Sequence, residues 1–423
     1  MNNIWRFIYN FIALPLMLIL LKIASLFNEK IKQGFIDRKR LFENLIINLA
    51  DVDRRKKMLW FHSSSLGEFE QAKPIIEILK KYNVNIIVTF FSPSGYQNSI
   101  NYPHKDIISY LPLDSRKLML RFINLVRPDV VILMRYDIWP NMIWQLYDKN
   151  IPIFIVDATM NSKSKRKLPI IKSFHKSVYN CFTKILTVST SDEQNFFDFL
   201  SDKSKIKSVG DTRFDRVYQK SLEAKNRKLF KENFFEGKKV LVAGSSWESD
   251  EEVLLPAFLK HLKYQSNSIL ILVPHEPTLL RLEKLENLLF GKEKSIRFSA
   301  LNNYNNERII IIDSIGILLS LYYYADLAYV GGSFKQGIHN VLEPAAYGVP
   351  VIFGPKIQNS QEAIKLSSGN GGFVIHNTKE FYKIIRKLLS DENFRIAEAE
   401  KSKQFVLRNI GATEKIINEI TNT

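Results

Sequence analysis

The sequence predicts an α/β protein with two domains. Short apolar runs that look like buried strands alternate with helical segments along both halves of the chain, for example at 58–61 and 85–90, and again at 240–243 and 269–273. This alternation is typical of parallel βαβ units. A chain of 423 residues is also too long for one ordinary core. Sheets of this kind bind ligands at the carboxyl ends of their strands, so the loops that follow the strands are the first place to look for function.

The amino-acid composition limits the kinds of binding partner that are expected. The net charge is +17, from 60 basic and 43 acidic residues, which favours an anionic partner. Nucleic acid is not expected, because no zinc-finger or RNA-binding signature is present and the basic residues are scattered. The alternative is that the charge only reflects a lysine-rich composition. Cys181 is the only cysteine, which excludes disulfides within the chain and cysteine-rich metal sites and is typical of a reducing compartment.

The amino terminus carries an apolar stretch that predicts a membrane anchor over residues 1–30. Residues 11–21 are continuously apolar, and the stretch extends from 4 to 27 with few polar interruptions. A spanning helix needs about 20 apolar residues. Basic residues follow between 30 and 40, which predicts that this side faces the cytoplasm. No small-residue cleavage site follows, so we expect an uncleaved anchor, either spanning or lying flat. The alternative is a buried core helix, since Pro15 interrupts the pattern.

The predicted first domain, residues 31–218, places an acidic residue where chemistry is expected. A strand at 58–61 is followed by a loop at 62–67 and by a helix that begins at Glu68. A carboxylate at this position faces the carboxyl edge of the sheet and is suited to accept a proton from a hydroxyl group. The competing interpretation is structural, because acidic residues favour the first turn of any helix.

Two further loops of the first domain carry candidate binding residues. Asp137 and Asn141 follow the strand at 130–133 and are expected to line the same edge of the sheet. Lys163 lies in the basic loop 161–167, after the strand at 153–156. This loop either holds phosphate groups or is an ordinary solvated surface run.

The predicted second domain, residues 219–423, contains a glycine-rich loop between two strands and ends in amphipathic helices. The loop runs from Gly331 to Ala346, and we expect Asn340 to cap a short helix whose N–H groups face an anion. Glu343 would accept hydrogen bonds from ribose hydroxyls, or would simply close a capping interaction on Asn340. Ser245 and Ser246 follow the strand at 240–243 and are suited to donate to a phosphate.

Taken together, these segments resemble the Kdo (3-deoxy-D-manno-octulosonic acid) transferases of lipopolysaccharide biosynthesis. The family motifs W-x-H-A-A-S-x-G-E, E-L-W-P-N, G-N-x-K-F-D, G-S-T-W/H-x-G-E and G-G-S…G-G-H-N-x-L-E-P-A all have counterparts in the same order. The matching segments are 60–68, 138–141, 210–215, 244–248 and 331–345. The sequence departs from the family pattern at Ile338, at Arg135-Tyr136-Asp137, and at 274–278, where the expected arginines are missing.

The resemblance implies a GT-B fold, with two Rossmann-like domains facing a cleft. It implies an inverting glycosyltransferase that moves Kdo from CMP-Kdo to the lipid A precursor (lipid IVA) at the cytoplasmic face of the inner membrane, with neither cofactor nor metal. Glu68 would be the general base. The donor-binding residues implied are Ser245, Ser246, His275, Gly332, Ser333, His339, Asn340, Glu343 and Arg213. The acceptor-binding residues implied are Ser65, Gly67, Asp137, Asn141 and Lys163.

Two other functions compete with this interpretation. One is a membrane-associated GT-B enzyme that uses a UDP-sugar. The other is a non-catalytic membrane scaffold, against which the polar loops at successive strand ends argue, because a scaffold has no need of them.

Overall fold

The computed structural model describes residues 2–422, and side chains from residue 4 onward. The chain divides into two compact units, Met1–Arg216 together with Ile410–Thr423, and Val217–Asn409. The division after residue 216 lies close to the predicted border after residue 218. The predicted second domain extends to the carboxyl terminus, whereas the segment after residue 409 belongs to the first unit.

The first unit is built on a parallel seven-stranded sheet with the strand order β3-β2-β1-β4-β5-β6-β7. Its strands are β1 (Met58–Ser63), β2 (Asn85–Phe90), β3 (Ile107–Tyr110), β4 (Val130–Met134), β5 (Ile153–Ala158), β6 (Lys184–Thr187) and β7 (Ile206–Ser208). Its helices are α1 (Asn2–Ile8), α2 (Leu14–Ala24), α3 (Glu29–Asp37), α4 (Leu41–Ala50), α5 (Leu66–Leu79), α6 (Pro93–Gln97), α7 (Arg116–Val126), α8 (Pro140–Asp148), α9 (Pro169–Tyr179) and α10 (Thr190–Phe196). The next helix, α11 (Thr212–Ala224), begins in the first unit and ends in the second.

The sheet of the first unit is covered on both faces, as the continuous apolar strands require. Alternate residues of β1 enter different cores: Trp60 packs with Phe122 on one face, and Phe61 packs with Phe69 on the other.

The second unit repeats the plan, with a parallel sheet in the order β10-β11-β9-β8-β12-β13-β14. Its strands are β8 (Lys239–Ser246), β9 (Ser268–Pro274), β10 (Ser295–Arg297), β11 (Ile309–Ile311), β12 (Leu327–Val330), β13 (Val351–Phe353) and β14 (Gly372–Val374). Its helices are α12 (Glu248–Leu262), α13 (Leu279–Leu289), α14 (Leu318–Leu321), α15 (Leu342–Ala346), α16 (Gln361–Ser367), α17 (Thr378–Ser390) and α18 (Glu392–Leu407). The chain ends in α19 (Ala412–Thr421), whose Ile416 and Ile420 pack in a core of the first unit.

In each sheet the chain reverses its direction of winding at one point. This switch lies between β1 and β4 in the first unit, and between β8 and β12 in the second. The loops that follow these strands diverge there and leave a crevice, which is where open α/β sheets bind ligands. The predicted α/β class with two Rossmann-like domains is therefore confirmed.

The predicted anchor forms one helix, in which a π-helical stretch, Tyr9–Ala13, joins α1 to α2. Pro15 lies in the first turn of α2, just after this stretch. Proline has no backbone N–H to donate, and the wider turn of the π-helix accommodates the hydrogen bond that is lost there. The segment Ile4–Ala24 is long and apolar enough to cross a membrane, by length and composition. One side of the helix packs on the first unit, where Tyr9 and Leu14 are buried, and the other side leaves its apolar residues exposed.

Candidate active site

Glu68 lies at the switch point of the first unit, in the first turn of α5 and directly after the loop that leaves β1. Ser65 caps this helix by accepting a hydrogen bond from the backbone N–H of Glu68, at 3.4 Å. The Ser65 hydroxyl is engaged in this capping bond, so its role is to position Glu68. Gly67, next to Glu68 in the chain, faces open space, because a Cβ atom added there would meet no atom within 4 Å.

The Glu68 carboxylate is held by one of its two oxygens. The backbone N–H and the hydroxyl of Ser64 both donate to Oε2, at 2.7 and 2.8 Å. Within residues 2–422, no hydrogen bond to Oε1 is formed. The side chain is only 6% exposed, so it is fixed in a largely dry environment. A carboxylate oriented in this way has one oxygen directed by the protein and one left for a proton transfer.

Asp137 follows β4 on the other side of the switch point and is held by His62, at 2.8 Å between Oδ2 and Nε2. Behind this pair, the Trp60 indole N–H donates to the Thr89 hydroxyl, at 2.8 Å. His62 Nδ1 lies 2.9 Å from the same hydroxyl and 3.2 Å from the Thr89 carbonyl oxygen. These contacts hold the His62 ring, and its Nε2 contact fixes the Asp137 carboxylate beside the loop of Glu68.

Asn141 is committed to the protein interior. Its amide nitrogen donates to the backbone carbonyl of Asp114, at 2.6 Å, and to Asn10 of the amino-terminal helix, at 2.9 Å. Its backbone N–H donates to the Asp114 carboxylate, and so does the Tyr9 hydroxyl. Asn141 is only 1% exposed, so its side chain fastens the amino-terminal helix to α8 instead of facing a ligand.

Two other predicted residues of the first unit are placed on its surface. Lys163 is exposed, in the turn after β5. Arg213, predicted as a donor ligand, lies in the first unit and pairs with Asp211 at 2.6 Å, while the other donor candidates lie in the second unit.

In the second unit the glycine-rich loop folds tightly against the loop that leaves β8. A Cβ atom at Gly331 would lie 2.2 Å from the carbonyl oxygen of Ser245. Gly332 has φ +92°, and a Cβ atom there would lie 2.3 Å from the Gly337 carbonyl oxygen. Glycine is therefore required at both positions by close backbone approach. Gly332 also donates its N–H to Asp250, at 2.9 Å.

Two of the predicted serines hold this loop assembly together. The Ser333 hydroxyl accepts from the backbone N–H of Gly354, at 2.6 Å, and Ser246 donates to Glu251, at 2.8 Å. Both serines are buried. They position the neighbouring backbone, and their hydroxyls are already bonded within the protein.

Four other predicted residues line a cavity of about 630 Å³ at the switch point of the second unit: Ser245, His339, Asn340 and Glu343. The helix α15 begins at Leu342 with Val341 as its cap, one residue later than predicted, because Asn340 accepts from the Leu342 N–H in a turn. Asn340 also donates to Glu343, at 3.1 Å, so the predicted capping contact is present. The cavity has the size expected of a small-ligand site.

The lining of this cavity combines two acidic residues, Glu223 and Glu343, with two basic ones. Burial raises the pKa of the Glu343 carboxyl, while the hydrogen bond from Asn340 and the charge of Lys220 lower it. Lys220 and Arg227 also line the cavity. Sequence reasoning missed both, because they lie in a strongly charged segment where nothing in the pattern distinguishes a lining cation from a solvated one. His62 was missed for a similar reason, since its role depends on a partner 75 residues away.

His339 and His275 form an aromatic stack with Trp247 beside the same loops. His275 lies between the other two rings, with centroid distances of 4.5 Å to Trp247 and 4.6 Å to His339. The Trp247 indole N–H donates to His339 Nε2, at 3.1 Å. This bond requires the His339 ring to be neutral. Burial and the neighbouring His275 both lower the pKa of His339, which favours the neutral form.

The sequence of the chain has close counterparts among known proteins. A sequence model of the 3-deoxy-D-manno-octulosonic-acid transferases (Kdo transferases) matches residues 39–216. The Kdo transferase of Aquifex aeolicus is 30% identical over 82% of this chain and 90% of its own. That of Haemophilus influenzae is 27% identical over 98% of this chain and 97% of its own. A bifunctional glycosyltransferase/methyltransferase of Fusobacterium nucleatum is 30% identical over 88% of this chain, which spans only 56% of that protein.

Solved structures share the fold. The UDP-GlcNAc 2-epimerase of Neisseria meningitidis, in complex with UDP-GlcNAc, superposes with a TM-score of 0.61, covering 87% of this chain and 100% of its own at 12% identity. This likeness agrees with two Rossmann-like units and concerns the fold alone. The class of reaction is indicated by the relatives in sequence. They show that the chain belongs to the Kdo transferase family of glycosyltransferases.

Proposed function

We propose that this Kdo transferase moves Kdo from CMP-Kdo to a hydroxyl group of the phosphorylated lipid A precursor, lipid IVA, with inversion at the anomeric carbon. The observation that carries the proposal is the Glu68 carboxylate. It lies at the switch point of the first sheet, with Oε2 bonded to Ser64 and with no donor to Oε1 among the described residues, 2–422. This is the arrangement expected of a general base that must meet a hydroxyl group of an incoming substrate.

In the proposed step, Oε1 of Glu68 takes the proton of the acceptor hydroxyl as that oxygen attacks the anomeric carbon of Kdo. The bond between this carbon and the phosphate oxygen of CMP breaks, and CMP leaves as a phosphate monoester. Ser64 keeps the base in place throughout, and His62 holds Asp137 on the neighbouring strand end, where it is suited to bind sugar hydroxyls.

The donor site that we propose is the cavity of the second unit. A departing phosphate monoester is stabilised by fixed positive charge and hydrogen-bond donors. Lys220 and Arg227 supply the charge, and Ser245 and Asn340 supply donors. Glu343 lies on the same wall and is suited to accept hydrogen bonds from the ribose hydroxyls. No cation-dependent step is required for this departure.

The amino-terminal helix supports a membrane-bound acceptor. Arg6 pairs with Asp148 at 2.7 Å, and the Trp5 indole donates to Ser173 at 3.2 Å, so the first turns lie along the first unit. Phe11 on the opposite side is 69% exposed, and Phe27 beyond the helix end is 86% exposed. A helix held on one side by protein and apolar on the other is suited to lie in the membrane interface. We therefore place it in the cytoplasmic leaflet of the inner membrane, lying flat.

The experiment that tests this function is a product analysis. The full-length protein, purified in detergent, is incubated with CMP-Kdo and lipid IVA, and the lipid is analysed by mass spectrometry. We expect a mass increase of one or more Kdo residues and release of CMP. A parallel incubation with UDP-sugars should leave the lipid unchanged. Transfer from a UDP-sugar, or no transfer from CMP-Kdo, would refute the proposed donor.

A further inference from the structure

A second, apolar cavity lies in the first unit, away from the charged loops. Its volume is about 190 Å³, and six side chains form its walls: Leu21, Ile31, Phe35, Phe91, Pro93 and Leu113. For scale, a buried apolar cavity of about 150 Å³ accommodates benzene. The walls come from four separate segments, namely α2, α3, the segment that follows β2 and the segment that follows β3, so tertiary packing creates the cavity.

One of the two cations that line this cavity, Arg38, is part of its framework. Arg38 donates to the backbone carbonyls of Leu111, Gly34 and Phe91, at 2.8, 2.8 and 2.7 Å. Its guanidinium group also stacks on the Phe91 ring. With three carbonyl acceptors bound, Arg38 holds the walls in place and does not recruit an anion. An apolar ligand is therefore what the cavity is suited to bind.

One end of the cavity lies against the amino-terminal helix, next to exposed apolar residues of that helix. Leu21 lines the cavity, while Leu20 and Ile23 of the same helix are 57% and 51% exposed. Lys30 stands at the rim and is exposed. An acyl chain can therefore enter the cavity from the bilayer, passing a cation at the rim.

The other end of the cavity adjoins the catalytic loop. Ser92, which lines the cavity, donates its backbone N–H to the carbonyl oxygen of Ser64, at 3.1 Å. Ser64 is the residue that holds the Glu68 carboxylate. On the same side, Phe91 stacks on Trp139, at 4.6 Å between ring centroids, in the loop that carries Asp137. A lipid whose acyl chain fills the cavity is therefore held next to the loops that carry Glu68 and Asp137.

We infer that this cavity binds an acyl chain of the glycolipid acceptor and thereby sets the position of its reactive sugar. The inference rests on the proposed function for the identity of the acceptor. Three features suit the cavity to a lipid acceptor better than to a soluble sugar: its apolar walls, the exposed apolar residues of the amino-terminal helix beside it, and the hydrogen bond that joins Ser92 to Ser64, which holds Glu68.

The first test maps the acyl chain without requiring turnover. Lipid IVA carrying a photoactivatable diazirine on an acyl chain is bound to the full-length protein in detergent, without CMP-Kdo, and irradiated. We expect labelled peptides from residues 21–38 and 91–113, and competition by unlabelled lipid IVA. A diazirine-bearing phosphatidylglycerol is tested in parallel. If it labels these peptides equally and lipid IVA does not compete, the cavity holds bulk lipid and the inference fails.

The second test fills the cavity. Ile31→Trp places a larger ring among the walls, and Leu113→Trp does so from another element in case the first variant folds poorly. We expect each to raise the KM for lipid IVA about tenfold or more and to reduce photolabelling, with CMP-Kdo binding unchanged. Ile36→Trp is the matched control, because Ile36 lies on the same helix, is 45% exposed and does not line this cavity.

Unchanged KM and labelling in a folded Ile31→Trp or Leu113→Trp variant would overturn the inference. The two proposals fail separately. Competed labelling of the cavity in a protein that transfers no Kdo would contradict the proposed function alone, whereas normal transfer without labelling would contradict the acyl-chain site alone.

Discussion

Ser64 donates both its backbone N–H and its hydroxyl to the same carboxylate oxygen of Glu68, at 2.7 and 2.8 Å. The two residues are four positions apart, across the turn from β1 into α5. This geometry gives the carboxylate two unequal oxygens, one anchored and one available. A glutamate in a capping box makes a similar backbone contact, so the anchoring alone serves either role. The second oxygen, which receives no hydrogen bond within residues 2–422, is the feature that suits Glu68 to accept a proton.

Glu68→Gln should abolish proton transfer while preserving the shape of the site. We expect kcat to fall by about 10² to 10⁴, the usual contribution of a general base. CMP-Kdo binding, measured by calorimetry, should stay within twofold of wild type. Glu29→Gln is the control, since that side chain is 88% exposed. Near-normal turnover in Glu68→Gln would show that the base is another residue.

His62→Ala should release Asp137 and remove the ring contact of the Thr89 hydroxyl. We expect the KM for the acceptor to rise and the protein to lose about 1–3 kcal/mol of stability, because a buried hydrogen-bond partner is removed. Combining His62→Ala with Asp137→Ala in a double-mutant cycle should give a coupling energy of about 0.5–3 kcal/mol in the free energy of unfolding. Strictly additive effects would mean that the pair is not coupled.

Lys220→Ala should weaken donor binding, because it removes a positive charge from the cavity that we assign to CMP-Kdo. A hydrogen bond to a charged group contributes about 1.5–3 kcal/mol, so we expect the Kd for CMP-Kdo to rise by about tenfold to a hundredfold. Calorimetry measures this directly. Lys228→Ala serves as the control, because Lys228 is exposed and does not line the cavity. Equal effects of the two variants would argue for a general charge effect.

Asp114 should make stability depend on pH. Burial raises the pKa of its carboxyl from 3.8 to about 7, although hydrogen bonds from Asn141, Tyr9 and Met142 act in the opposite direction. Between these two pH values the folded protein binds more protons than the unfolded chain. Stability should therefore fall as pH rises through this window, by up to about 1.4 kcal/mol per pH unit from this group.

Urea denaturation between pH 4.5 and 7.5 measures this dependence. The Asp114→Asn variant should lose this part of the slope, whereas Asp51→Asn, at an exposed position, should keep it. Identical slopes in wild type and Asp114→Asn would mean that Asp114 does not titrate in this window.

Replacing exposed apolar residues of the amino-terminal helix should weaken membrane binding. Phe7 and Phe11 stack on each other and are 57% and 69% exposed. Burying a phenylalanine contributes about 1.5–3 kcal/mol, so Phe7→Ser with Phe11→Ser should lower vesicle binding by tenfold or more. Flotation with phosphatidylglycerol-containing vesicles measures this. Leu280→Ser, at a position 78% exposed in the second unit, should bind as wild type does; equal losses would argue against the helix as the anchor.

The strands and the position of Glu68 could be predicted from the sequence, because they depend on local pattern. Continuous apolar runs predict buried parallel strands, and a small-residue loop after such a run places the next helix at the carboxyl edge of the sheet. The short strands β3, β7, β10 and β14 were not predicted. They have only three or four residues each, and tertiary pairing determines them more than composition does.

The sequence by itself determined the fold class, the family and the order of the loops that carry the chemistry, since each depends on residues close together in the chain. Only the tertiary structure decided which polar side chains are available. Asn141 is hydrogen-bonded to Asn10 and Asp114, and Ser333 is hydrogen-bonded to Gly354. Asn340 lines a cavity that its own segment does not reveal. A hydrogen bond or a cavity wall needs partners from distant segments, and burial of the apolar faces is what brings those segments together.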